Sequence, residues 1–265
     1  MSVAVEIAVQ DLAGLEIAAL AGADRVELCV DLERGGITPP AELVAEAAER
    51  AAALVSVRDA RPQFDVHVLL RTRASTGDFL GRPAEFVHDA EEIALLAVQA
   101  AEVVEAGAAG VVLGGLTPDG ELDVPALTTI RDAALGAAQS AMRGLTLTAH
   151  RAVDALPERA AREEAVRTLL GLGFHRVLSS GGAARALDGA GDLAAMVRAG
   201  EELIDICAGA GIRPADIAEL VRTTGVADVH LSARRRPGSA VEADAPDTPT
   251  DPAIVAAAVD AAGAL

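Results

Sequence analysis

In the stretch RVELCV, residues 25–30, Arg25, Glu27 and Cys29 occupy every second position and Val26, Leu28 and Val30 fill the positions between. That set offers a carboxylate able to hold a proton, a guanidinium to neutralise it, and a thiol that as thiolate is a nucleophile or a soft metal ligand. Further along, VHVLLRTR supplies His67, Arg71 and Arg73, AHRAVD supplies His150, Arg151 and Asp154, and RVLSSGG supplies Ser179, Ser180, Gly181 and Gly182. LIDICAG contributes Cys207 and Gly209, and VADVHLS contributes Asp228, His230 and Ser232. Arg71 and Arg73 are planar forks suited to a carboxylate or phosphate. His150 is the side chain matched to proton transfer near neutral pH, with Glu27 or Asp154 setting its protonation state. The small residues at Ser180, Gly181 and Gly209 let backbone N–H groups approach an anion.

Such residues act together only if the chain folds them toward one space. Short β-branched runs alternate with alanine-rich segments of helical period along the whole length, with no composition break to mark a linker. Strands are predicted at 3–9, 25–30, 66–71, 110–115, 145–151, 176–181, 203–209 and 226–232, and a last helix at 251–264. Glycines recur before strands, as in LAGADRVEL and EAGAAGVVL, where the chain must turn out of a helix. Eight β-then-α units in 265 residues predict a single (β/α)8 TIM barrel spanning residues 1–265. An open dinucleotide-binding sheet is excluded because IAVQDLAG, after the first strand, has no GxGxxG pattern.

Barrel strands are buried on both faces, and successive side chains alternate between the helices and the interior. The apolar parity assigns Glu6, Arg25, Glu27, Cys29, His67, Arg71, Thr146, Thr148, His150, Asp228, His230 and Ser232 to the interior. Residues late in each strand face the C-terminal mouth, where barrel enzymes hold their chemistry. That places Glu27, Cys29, Arg71, His150, Ser179 or Ser180, Gly209 and Ser232 there, with Arg73, Asp78, Arg151, Asp154, Gly181 and Gly182 in the loops beyond. Plainer roles stand beside these. Arg25 and Glu27 suit a structural ion-pair layer, Cys29 and Cys207 suit small buried apolar positions, and His67 suits a satisfied core histidine. The run Arg234 to Arg236 reads as solvated.

Acidic residues outnumber basic ones by 40 to 22, every basic residue is an arginine, and the net charge is −18. Such a surface repels nucleic acid and anionic membrane, and no segment reads as a membrane span or signal peptide. Two cysteines form no disulfide framework, which points to the cytoplasm. With no Trp or Tyr and four Phe, the core must be built from Ala, Val, Leu and Ile.

The blocks GADRVELC (22–29), GGITP (35–39), VHVLLRTR with GDF (66–73, 77–79), AHRAVD (149–154), RVLSSGG (176–182), AGAGI (208–212) and VHLSA (229–233) occur in order over nearly the whole chain. In them the sequence resembles the CutC family, proteins assigned to copper homeostasis. The resemblance implies a TIM barrel, a small homo-oligomer with a dimer favoured, and copper(I) as ligand. In the family a copper(I) role attaches to a cysteine late in the first strand and to the cysteine closing ELC. By position the second is Cys29, and at the first this chain has Ala8. The residues themselves leave a second reading open, a barrel enzyme doing acid/base chemistry on a small anionic metabolite, carboxylate or phosphate.

Overall fold

The computed structural model describes residues 3–57, 62–75, 80–234 and 249–265. Asp78, the GDF block, Arg235 and Arg236 lie outside the described residues. All eight predicted strands are present, shortened at their ends: β1 (Ala4–Val9), β2 (Arg25–Leu28), β3 (Asp65–Leu69), β4 (Gly110–Leu113), β5 (Thr146–Ala149), β6 (Arg176–Ser179), β7 (Asp205–Gly209) and β8 (Asp228–Leu231). They pair in parallel, each with its sequence neighbour, and β8 returns to β1 to close the barrel. The helices between them are α1 (Leu12–Leu20), α2 (Ala41–Ser56), α3 (Ala90–Glu105), α4 (Val124–Ser140), α5 (Arg159–Gly171), α6 (Ala190–Ala199), α7 (Pro214–Thr224) and α8 (Pro252–Gly263).

Local chemistry sets where the helices start. Asp11 accepts from the backbone N–H of Gly14 at the head of α1, and Asp89 and Glu92 form a reciprocal capping box at the head of α3. Pro sits in the first turn of α4, α7 and α8, where its missing N–H leaves no unmet bond.

Strand parity follows the alternation. Val5, Ile7 and Val9 of β1, Val26 and Leu28 of β2, and Val66 and Val68 of β3 are buried in one continuous core with the alanine-rich helix faces. The interior carries a separate small apolar cluster of Cys29, Leu69 and Val112, with Leu32 against it. Strand β4 leaves room for imidazoles. A Cβ on Gly110 would come within 2.7 Å of His67, and one on Gly114 would overlap the ring of His150. The closed barrel therefore has a polar floor, an apolar band and an open mouth.

Candidate functional site

The floor is an ion network. Glu6 Oε2 accepts from Arg25 Nε and from Arg176 Nη1, both at 2.8 Å. Asp228 accepts from Arg176 Nε at 3.0 Å through Oδ2 and from Arg25 through Oδ1. The ion-pair layer expected of Arg25 and Glu27 thus exists with different carboxylates: Arg25 reaches across β1 and β8, and the registers Glu6↔Arg25 and Glu6↔His230 explain why. Arg176 completes it from β6. His67 joins through Nδ1, 3.4 Å from Arg176 Nη1, which can only donate to it. Burial and the Arg176 charge accordingly push the His67 imidazole down to about 3. Burial opposes the charge on Glu6, yet Arg176, His230 and Arg25 hold its carboxyl well below the usual range.

Glu27 stands apart from this pairing. It is buried, and its Oε2 has no hydrogen-bond partner among the described residues. The Nδ1 of His230 lies 4.0 Å from that oxygen and donates to Glu6 Oε1 at 2.7 Å. Burial pushes the Glu27 carboxyl up to about 7. The His230 imidazole is raised because the bond to Glu6 and the Glu27 charge outweigh its burial.

At the mouth, on the β3 to β5 side, Arg71 lies over the Phe86 ring at 5.5 Å, and Phe86 packs on His150 with ring centres 5.3 Å apart. The Arg71 guanidinium is ion-paired with Glu85 at 3.8 Å, a looser contact than a hydrogen bond. His150 accepts the backbone N–H of Ala152 on Nδ1 at 3.2 Å. Burial, Arg71 and His88 push it down to about 3. With Nδ1 accepting, the neutral ring carries its proton on Nε2. His88 enters the same cluster from the loop before α3, with Nε2 3.1 Å from the Gly114 carbonyl. Its place beyond a strand end hid it from parity arguments.

Asp154 does something other than tune His150. Its carboxylate accepts from Ser179 Oγ at 2.6 Å, Ser180 Oγ at 2.9 Å, Ser180 N at 3.0 Å, Gly182 N at 3.0 Å and Arg151 Nε at 2.8 Å. The SSGG loop is an anion cradle, and the anion in it is the chain's own Asp154. Gly181 N is likewise engaged, donating to Ser179 Oγ. Arg73 bonds Glu92 at 2.7 Å and the Val87 carbonyl at 2.6 Å, outside the Arg71 cluster. Gly209 is small because a Cβ there would press on Leu178.

On the β7, β8 and β1 side a cavity of about 670 Å³ opens, lined among others by Arg151, Arg213, Arg234, Gly211, His230 and Ser232. The first turn of α7 begins at this wall, and Arg213 and Arg234 line the cavity beside Arg151, which is bonded to Asp154 and Ser180. Arg213, an arginine in the loop before α7, carries no periodic signal in the sequence.

Copper(I) requires soft ligands, thiolate or thioether. Cys29 is fully buried among Leu69, Val112 and Leu32, with Sγ 3.8 Å from the Val9 carbonyl, and burial and Glu27 push its thiol up, away from thiolate. Cys207 is also buried and pushed up by burial. These surroundings do not fit a copper(I) centre.

The chain is 37% identical to a CutC family protein of Agrobacterium fabrum over 227 residues, 86% of this chain and 78% of that one. It is equally similar to a CutC family protein of Caulobacter vibrioides over 230 residues, 87% and 81% of the two chains. The crystal structure of a CutC from Streptococcus agalactiae, whose name proposes a part in copper homeostasis, superimposes with a TM-score of 0.70 at 25% identity, covering 86% of this chain and 97% of that one. With the family model matched over residues 3–235, this chain belongs to the CutC family.

Proposed function

We propose that this CutC family barrel binds a small anionic metabolite, a carboxylate or phosphate, at its C-terminal mouth and performs acid/base chemistry on it. The observation that carries this reading is the cavity of about 670 Å³ lined by Arg151, Arg213 and Arg234 in a protein whose net charge is −18. A strongly acidic chain that gathers guanidinium groups at one mouth creates a local attraction for anions that the rest of its surface opposes. Arg71 fixes ligand charge from the opposite rim, His150 donates through Nε2, and Glu27 supplies a carboxylate within the barrel. Ser232 and the backbone around Gly211 line the pocket, while Ser180, Gly181 and Gly209 shape the loops that frame it. The protein acts in the cytoplasm, with Cys29 and Cys207 as free thiols. It does so as a homodimer, to be checked by sedimentation.

Calorimetry with inorganic phosphate and simple dicarboxylates tests the binding. Arg213→Gln and Arg234→Gln should each weaken it at least about tenfold, as expected when a charge-assisted bond is lost. A mass-spectrometric screen of metabolites then looks for turnover. Absence of any anion binding would sink the reading.

A second reading is copper(I) held through Cys29 in copper homeostasis. Family membership supports it, and the apolar surroundings of the thiol weigh against it. Equilibrium dialysis under reducing conditions decides: a stoichiometric complex lost in Cys29→Ala supports copper, and equally weak uptake by both proteins removes it.

A further inference from the structure

The floor network is balanced without Glu27. Glu6 and Asp228 face Arg25 and Arg176, two charges against two, all mutually bonded. That leaves Glu27, buried, with Oε2 unpartnered and directed at the side of His230 that faces Glu6. Among the described residues, Glu6, Glu27 and His230 are the one group whose ligand atoms, a carboxylate oxygen from each glutamate and an imidazole nitrogen, all lie within 4.8 Å of one another.

We propose that Glu6 Oε1, Glu27 Oε2 and His230 Nδ1 hold a divalent transition-metal ion of the zinc or manganese class beneath the mouth cavity. Ligands about 2.1 Å from such an ion stand roughly 3.0–3.4 Å apart. The separations here, 2.7 Å from His230 Nδ1 to Glu6 and 4.0 Å to Glu27, bracket that span. Coordination replaces the Nδ1 proton of His230, which passes to solvent, and gives the orphaned Glu27 oxygen its partner. Two carboxylates and an imidazole suit divalent first-row ions and not copper(I). His230 also lines the cavity, so an ion held there would lie beside it. With the floor already neutral, the ion and Glu27 leave one net positive charge, which an anion in the cavity answers. This last clause alone rests on the proposed anion site.

The test uses the full chain after chelator treatment, dialysed against zinc or manganese ions alone and read by elemental analysis. One ion per chain is expected, with affinity falling at least about tenfold in both Glu27→Gln and His230→Gln, because each removes one of three ligands. Undiminished binding in both variants overturns the site. Loss in Cys29→Ser with retention in the glutamine variants moves the ion to the thiol and overturns it too, as does weak, non-stoichiometric uptake, which marks an adventitious ion only. Should a variant fail to fold, nitrogen NMR of the wild type decides: zinc must shift the Nδ1 signal of one of the five histidines, and five unmoved imidazoles overturn the proposal. Phosphate calorimetry is run separately, so metal uptake without anion binding sustains this site and sinks only the anion reading.

Discussion

Gly182 donates its backbone N–H to Oδ1 of Asp154 at 3.0 Å, and the positive φ of +71° that allows this leaves no room for a side chain, since a Cβ there would strike the Arg162 guanidinium. The loop after β6 is thereby closed on a carboxylate from the turn after β5. Two loops of the mouth are one hydrogen-bonded unit, fastened further by Arg151, which bonds both Asp154 and Ser180.

Asp154→Ala removes the acceptor for four donors of the Ser179–Gly182 segment and the carboxylate that Arg151 Nε bonds. The expected cost is about 3–5 kcal/mol, the range for breaking a buried charged network. Urea denaturation checks it. A cost below about 1 kcal/mol would show that water replaces the carboxylate without loss.

The floor network should behave as a unit. Arg176→Met alone leaves Glu6 and Asp228 short of a partner and is expected to cost about 3–5 kcal/mol. Arg176→Met combined with Asp228→Leu should cost less than the sum of the two single changes. Additive costs in a double-mutant cycle would count against the coupling.

Gly114→Ala places a methyl group where the His150 ring lies, so the ring must move. Overpacking of this kind costs about 1–3 kcal/mol. The proposed anion binding should weaken with it, while Gly136→Ala, inside α4 with open space around its Cβ, should leave binding unchanged and raise stability by about 0.5–1 kcal/mol. Calorimetry and a thermal melt of the two variants make the comparison.

Stability should fall with acid through His150. Its folded value is near 3 and its unfolded value about 6.5, so between these the unfolded chain binds the extra proton. The stabilisation is complete above pH 6.5 and is lost as pH falls toward 3. By pH 4.5 the loss from this group is on the order of 3 kcal/mol. His150→Gln should flatten the decline in melts between pH 7.5 and 4.5, and an unchanged slope would refute the assignment.

Much of this protein was legible in its residue order. Alternation of apolar and polar side chains at period two marked the eight strands and the inward face of Glu6, Arg25, Glu27, His67, His150, Asp228 and His230, because a strand buried on both sides must sort its side chains by environment. Partner choice was decided elsewhere. That Arg25 serves Glu6 and Asp228 and not Glu27, two positions along its own strand, follows from the stagger of β1, β2 and β8 once the barrel closes. Asp154 looked like a partner for His150 four positions before it, yet the turn aims it at a loop 25 residues on. His88, Arg176 and Arg213 carry no local pattern that distinguishes them from other polar residues. Composition and periodicity determine which face a side chain takes, since that is a property of one strand. Which side chains then meet is a property of the closed circle, where residues far apart in sequence are held within hydrogen-bond reach and burial makes an unpartnered charge costly.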